Sequence, residues 1–297
     1  MTSLTRPPKP TRNRRRWCML AAPALLLAVP AAAQDAGGDA SQGTGPLPSP
    51  NVAPSPAPIC TDRPTKANVA CTVPAGAVQI EADAVNWTRQ SAGGTRTDTL
   101  AYADPYLKLG IGTHTDIEAN IAPFETVRTR LPDGSASTLG GVGDLTLRVK
   151  QRLTADGAKT QVAIIPYVVA PTARAGIGDG DWEGGAILVA NVPLPAGFTL
   201  TVGPEVDVLA NEEGGGHHAG LVMLTNLSHS LGKKLTVYGE LWTQQDLDPS
   251  GHVAQYSLDT AASYQLTKTL EFDLGGNFGL NRATPGEQLY MGVSTRF

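Results

Sequence analysis

The stretch EQLYMGVSTRF closes the chain at residues 287–297. Counted back from the terminal Phe297, every second position is apolar or nearly so: Thr295, Val293, Met291 and Leu289. The positions between them are small or carry a polar group. A period of two residues predicts a β-strand with one apolar face and one polar face. The sequence therefore ends on an amphipathic strand whose last residue is aromatic.

Such a C-terminal strand resembles the last strand of Gram-negative outer-membrane β-barrels. The resemblance implies further amphipathic strands upstream, with short and long connections in alternation, and an export signal before them. It also implies that the barrel-assembly machinery binds the strand that ends at Phe297, and that outer-membrane lipid surrounds the protein.

The N-terminus has the pattern of a secretory signal peptide. A basic cluster at residues 12–16 precedes the longest apolar run, residues 19–33, which ends in three alanines. This order predicts a signal peptide over residues 1–33 with cleavage after Ala33. A membrane anchor is the alternative, but a spanning helix needs about 20 apolar residues and this run contains two prolines.

Charge and cysteine content limit the function classes. The predicted signal peptide carries six of the 23 Lys and Arg residues and no acid, which leaves 17 basic against 27 acidic residues. Because that balance is acidic, we expect no nucleic-acid partner. Cys60 and Cys71 remain in the exported chain, where the oxidising periplasm favours a disulfide between them. No His lies between them, so the pair predicts no metal site.

Three domains follow. After residues 1–33 comes a Pro- and Gly-rich periplasmic segment, residues 34–75, which has too little apolar surface to fold alone. Residues 76–297 are predicted to form the barrel. The sequence leaves open whether residues 34–75 plug the lumen or extend into the periplasm.

Three motifs carry a family resemblance. They are TDRP at residues 61–64, the VPAG turn followed by VQIEA at residues 73–82, and GVGDLTLRVKQRL at residues 141–153. Together they resemble the phenol-degradation (MetA-pathway) family of outer-membrane transporters, over residues 61–297. The resemblance implies passive transport of small aromatic or hydrophobic solutes.

Strand periodicity predicts an all-β fold, an antiparallel transmembrane β-barrel of about 12 strands, with a soluble β-sandwich as the alternative. Residues 114–128 read as one strand, and residues 88–99 and 129–142 as long loops. Leu147 and Val149 alternate with Arg148 and Lys150. Because a charge facing the bilayer midplane costs about 2–4 kcal/mol, the charged face must line the lumen. The lumen-lining candidates are Asp116, Glu118, Asn120, Asp144, Arg148, Lys150, Arg152, Glu205 and Glu240. The alternation is blurred in residues 160–170 and 218–228.

No catalytic constellation stands out. In Ser228-His229-Ser230, adjacent strand residues point to opposite faces, so His229 serves neither serine and a turn is the better interpretation. His217 and His218 follow three glycines and read as a solvated loop without further metal ligands. We therefore expect no enzyme, cofactor or metal.

Two questions stay open at this level. The lumen charges form either a selectivity constriction or a structural ion-pair network. The barrel is either a channel or a non-transporting structural or surface-interaction protein, with an outer-membrane hydrolase as a third, disfavoured alternative.

Overall fold

The computed structural model describes residues 57–297, so the predicted signal peptide lies outside the described residues. These residues form fourteen strand segments: β1 (Val78–Ala92), β2 (Thr95–Gly110), β3 (Thr115–Ile121), β4 (Phe124–Arg130), β5 (Ala136–Gly141), β6 (Leu145–Arg152), β7 (Gln161–Ala170), β8 (Glu183–Pro193), β9 (Phe198–Ala210), β10 (His217–Leu231), β11 (Leu235–Asp246), β12 (Val253–Gln265), β13 (Leu270–Gly279) and β14 (Glu287–Arg296). A short 3₁₀ turn, Pro195–Gly197, precedes β9.

The strands form one closed antiparallel barrel. Each strand from β7 to β13 pairs with its sequence neighbours, β6 pairs with β3 and β7, and β1 pairs with both β14 and β2, which closes the sheet. Strand β2 is long enough to pair with β3 over one half and with β4 over the other. Segments β3 and β4 are thus two halves of one spanning strand, and so are β5 and β6. The fourteen segments count as twelve spanning strands, as the sequence predicts.

The break in this wall corrects two predictions. The single strand expected over residues 114–128 is interrupted at Ala122 and Pro123, because a proline has no N–H to donate to a ladder. The long loop expected over residues 129–142 is wrong, since most of it belongs to the β4–β5 hairpin, which turns over residues 131–135. The long loop expected over residues 88–99 is also wrong. There β1 and β2 continue to a two-residue turn at Gly93 and Gly94, whose φ angles of 57° and 81° suit a tight hairpin.

The outer face of the barrel is apolar. In β6, Leu147 and Val149 are 47% and 41% exposed, whereas Arg148 and Lys150 are 4% and 1% exposed. The same alternation holds in β14, where Met291 is on the outer face. A continuous apolar belt that faces outward is what a lipid bilayer requires of a barrel wall. No helix among the described residues is both long and apolar enough to cross a membrane.

The two strands with blurred alternation are β7 and β10. Their inward residues include Ile165 and Leu224, which are 0% and 3% exposed and pack inside the barrel rather than against lipid. Both faces are apolar because lipid covers one face and an apolar object inside the lumen covers the other. That object is a part of the N-terminal segment.

The two ends of the barrel differ in their connections. One end, here the turn end, carries the Cys60–Cys71 region, the C-terminus and mostly short turns such as residues 232–234. The other, here the loop end, carries the longest connection, residues 171–182.

Candidate solute channel and its plug

Residues 59–73, here called the plug loop, enter the barrel from the turn end. At the entrance, the backbone N–H of Ile59 donates to the carbonyl oxygen of Lys268 at 2.7 Å, in the turn between β12 and β13. At the exit, Val73 leads into a turn whose Gly76 N–H bonds to the carbonyl oxygen of Gly110 at 2.8 Å. Between these points most plug-loop residues are buried by the inward faces of the strands. The plug loop therefore occupies the lumen, which is one of the two locations that the sequence left open.

A disulfide closes the base of the plug loop. Cys60 and Cys71 are bonded, with their Cα atoms 6.5 Å apart, and they are 11 positions apart in sequence. The bond ties the entering and leaving ends of the loop together. It restricts the conformations of the released loop, and so it favours the bound one.

Asp62 is the electrostatic centre of the plug loop. Its carboxylate accepts hydrogen bonds from Lys108 Nζ at 2.5 Å, from Lys150 Nζ at 2.7 Å and from Arg148 Nη2 at 3.1 Å. Burial alone would raise the pKa of Asp62, but the three cations outweigh burial and hold its pKa well below the ordinary carboxyl value. A wall carboxylate, Glu118, also binds Arg148, with 2.6 Å between Nε and Oε2. The plug loop thus supplies a negative charge to a basic patch of the wall.

Arg63 and Lys66 supply positive charges to carboxylates of β1, β12 and β13. The Arg63 guanidinium lies 2.6 Å from Asp273 and 2.7 Å from Asp83. Burial acts to lower the pKa of Arg63, but the two carboxylates dominate and raise it. Lys66 Nζ lies 2.7 Å from Asp259, and burial lowers its pKa despite that partner. Opposite charges therefore meet at both of these parts of the interface between plug loop and wall.

Wall side chains also accept the backbone N–H groups of the plug loop. Glu240 accepts from the N–H groups of Lys66 and Ala67 at 3.2 and 3.0 Å, and Asp116 accepts from that of Val73 at 2.7 Å. A buried N–H without a partner is costly, and the plug loop forms no strand pairing that would supply one. Inward carboxylates take the place of a strand ladder here.

The remaining side of the plug loop is apolar. Ala70 packs with four fully buried residues of β7 and β8, and Ala67 packs with Val222, Leu224 and Trp242 of β10 and β11. Lys66 also lies 4.4 Å from the centroid of the Trp242 ring. The lumen is therefore amphipathic, with one apolar wall and one charged wall.

The predicted lumen residues divide into three groups. The first group is buried against the plug loop and its ion pairs: Asp116, Glu118, Arg148, Lys150 and Glu240. The second is half-buried and makes no contact with the plug loop among the described interactions: Asn120, Asp144 and Glu205. Arg152 stands apart, because it pairs with Asp156 at the turn end.

Sequence reasoning missed the residues of the plug loop itself and several of their wall partners. Asp62, Arg63 and Lys66 stand in a segment that composition marks as unfolded, and nothing local shows that each has a buried partner. The alternation of β1 and β2 was the available signal, since it places Glu81, Asp83 and Lys108 on one inward face.

The structure corrects both histidine predictions. His218 is buried at the start of β10, with Nε2 2.6 Å from Asp246 and Nδ1 3.2 Å from Asp248. The solvated-loop interpretation is wrong for His218, because Asp246 and Asp248, at the connection between β11 and β12, enclose it. The turn interpretation is wrong for Ser228–Ser230, because these residues lie within β10, where the His229 ring stacks on Phe198 with centroids 4.3 Å apart. Among residues 57–297, no group of three or more His, Cys, Asp or Glu side chains is arranged to hold a metal ion.

A closed barrel with an apolar belt, and with a segment of its own chain in the lumen, defines the class of plugged outer-membrane β-barrels. Within that class, the chain belongs to the family described as "Putative MetA-pathway of phenol degradation", whose model matches residues 61–297. The family resemblance seen in the sequence is thereby confirmed.

Several solved structures are similar to the chain, and the first of them supports its fold. The COG4313 outer membrane channel from Pseudomonas putida F1 is similar, with a TM-score of 0.63 and 12% identity over 77% of this chain and 98% of that chain. The translocator domain of the autotransporter NalP from Neisseria meningitidis has a TM-score of 0.44 and 15% identity over 77% of this chain and 91% of that chain. The CymD monoaromatic hydrocarbon channel has a TM-score of 0.42 and 10% identity over 75% of this chain and 88% of that chain. No functionally curated protein matches the chain in sequence. The protein is an outer-membrane β-barrel.

Proposed function

We propose that this protein is an outer-membrane channel through which small aromatic or hydrophobic solutes diffuse passively, and that the plug loop controls access to the lumen. The proposal rests on the observation that a segment of the chain, and not the wall side chains alone, fills the barrel. An eight-stranded barrel is filled by the side chains of its own wall, whereas this twelve-stranded barrel encloses a separate length of chain. The lumen can be emptied without breaking any strand pairing, because the plug loop contributes none.

The amphipathic lumen fits the proposed solute class. The apolar wall formed by β7, β8, β10 and β11 offers a surface for an aromatic ring, and the charged wall offers partners for a polar substituent. The family description, which refers to phenol degradation, supports a phenolic solute. The solved channel of Pseudomonas putida supports the architecture.

The orientation is also part of the proposal. We place the turn end and both termini in the periplasm, because short turns on that side and longer loops outside are typical of outer-membrane barrels. The Cys60–Cys71 disulfide would then form in an oxidising compartment. We expect the barrel-assembly machinery to bind β14 and Phe297, which is 74% exposed. We expect no catalytic activity.

The test is solute flux through the purified mature protein in liposomes. We expect phenol to pass faster than through protein-free liposomes, and faster than a charged solute of similar size. The same lipid with heat-unfolded protein is the control. Absence of phenol flux from protein shown to be folded would refute the channel and favour a structural or surface-interaction barrel.

A further inference from the structure

Glu125 is a buried carboxylate that makes no contact with the plug loop among the described interactions. It lies on the inward face of β4, paired with Ala101 of β2 and Gly141 of β5. Glu125 is only 7% exposed, and its Oε1 atom is buried without a hydrogen-bond partner. A buried carboxylate oxygen without a donor is costly, so a native barrel that retains one has a reason for it.

Two more carboxylates face the same place. Asp104 and Asp144 lie close enough to Glu125 to interact with it electrostatically. Asp104 accepts a hydrogen bond from Asn120 Nδ2 at 2.7 Å, and Asp144 accepts one from the backbone N–H of Ala173 at 2.7 Å. Both donors are neutral, and none of the three carboxylates forms an ion pair within the described part of the chain.

Within residues 57–297, the cationic side chains near this site are engaged elsewhere. Arg174 crosses over Gly141, but its guanidinium donates to the carbonyl oxygen of Gly140 and its side chain is exposed. Arg63 acts on Asp104 at a distance, but its hydrogen bonds go to Asp273 and its second ion pair to Asp83. The excess of negative charge beside Glu125 is therefore left for a ligand to compensate.

The backbone builds this site. The register of β1 shifts between Asp83 and Val85, and in the paired strand Ala103 has a φ of 49°. At the same level, the neighbouring spanning strands break between β3 and β4 and between β5 and β6. These irregularities interrupt the ladder beside Glu125 and Asp144, and Asp104 also lines a small cavity beside the plug loop.

We propose that Glu125, between Asp104 and Asp144, is a subsite that binds the cationic or hydrogen-bond-donating group of a small aromatic solute. An organic amine fits better than a metal ion, because the described residues hold no metal-binding group of three. Anionic aromatic solutes are repelled by the same charges. The inference rests on the proposed function and names the solute class that the channel prefers.

The experiment is calorimetric titration of the full-length protein in detergent at pH 7 with three probes of similar size: 2-phenylethylamine, 2-phenylethanol and phenylacetate. We expect the amine to bind at least about tenfold more tightly than phenylacetate, with the alcohol between them, because a charge-assisted hydrogen bond to a buried carboxylate corresponds to roughly tenfold or more in affinity. Equal affinities for the amine and the carboxylate would overturn the proposal.

The variant Glu125→Gln distinguishes amine binding at this site from amine binding at other negative charges of the protein. We expect it to weaken amine binding by about tenfold, whereas Glu213→Gln, in the exposed connection between β9 and β10, leaves binding unchanged. Amine binding that is retained in Glu125→Gln would overturn the assignment of the site. If Glu125→Gln does not fold, the comparison of the three probes on the unaltered protein still tests the proposed subsite.

Flux keeps the two proposals apart. Phenol flux in liposomes together with equal binding of amine and carboxylate would refute the subsite alone. Selective amine binding without any phenol flux would refute the channel alone.

Discussion

The substitution Asp62→Asn removes the one plug-loop charge that binds three wall cations. Asparagine keeps the shape of the side chain, but it removes the negative charge with which Lys108, Lys150 and Arg148 form ion pairs. All three cationic side chains are at most 2% exposed, so solvent compensates little. Removing one partner of a buried ion pair costs about 3–5 kcal/mol. The equilibrium between bound and released plug loop should shift toward release by roughly two to four orders of magnitude.

Trypsin cleavage after Lys66 reports this release. The Lys66 side chain is 7% exposed and Ala67 is 6% exposed, so the bond between them is protected while the plug loop is bound. We expect rapid cleavage in Asp62→Asn protein reconstituted in liposomes, and slow cleavage in the unaltered protein and in Asp133→Asn, whose carboxylate lies in an exposed turn. Mass spectrometry identifies the cleaved bond. Equal cleavage rates in Asp62→Asn and the unaltered protein would refute the electrostatic role of Asp62.

Three further predictions concern the disulfide, the lipid-facing surface and the pH dependence of the plug loop. Replacing Cys60 and Cys71 with serine removes the closure of a short loop, and it should weaken plug binding by about 2–3 kcal/mol, measured as faster trypsin cleavage after Lys66. Leu274→Arg puts a charge on the lipid face at the centre of β13, where Leu274 is 60% exposed, and it should lower the free energy of unfolding in lipid by about 2–4 kcal/mol, measured by urea titration. Because the pKa of bound Asp62 is depressed, its contribution is complete above the ordinary carboxyl pKa of about 4 and is lost only as pH falls through the lower bound-state value, so the difference in Trp242 fluorescence between the unaltered protein and Asp62→Asn should be the same at pH 7 and at pH 5.

Each of these three predictions has a control and an outcome that would contradict it. For the cysteines, a reducing agent should reproduce the double substitution in the unaltered protein, and no change in either case would contradict the prediction. For Leu274, the control is Thr267→Arg in an exposed turn, and an equal loss of stability in both would contradict the lipid-facing assignment. For pH, a difference between the two proteins that becomes smaller from pH 7 to pH 5 would contradict the depressed pKa of bound Asp62.

The barrel wall can be predicted from the sequence, because contact with lipid requires each strand by itself to alternate apolar and polar residues. Each strand must alternate, so residues such as Leu147 and Arg148 reveal their faces without knowledge of any partner strand. The pairing of Glu118 with Arg148 could be anticipated for the same reason, since adjacent columns on one inward face must neutralise each other.

The plug loop could not be deduced in this way. Asp62 and Lys150 are 88 positions apart, and Arg63 and Asp273 are 210 apart, so their contacts depend on barrel closure and register. Blurred alternation in β7 and β10 was the available trace of the plug loop, because an apolar inward face implies an apolar object inside. The break at Pro123 needed the paired length of β2 to be recognised, since one proline does not show whether a strand ends or resumes.

The most direct test of the account is flux of phenol in liposomes through the full mature protein and through a chain that lacks residues 57–75, with both shown to be folded. If the barrel is a channel that the plug loop obstructs, the shortened chain passes phenol faster than the full chain, and both exceed protein-free liposomes. Equal flux in the two chains would contradict the role of the plug loop, and no flux in either would contradict the channel.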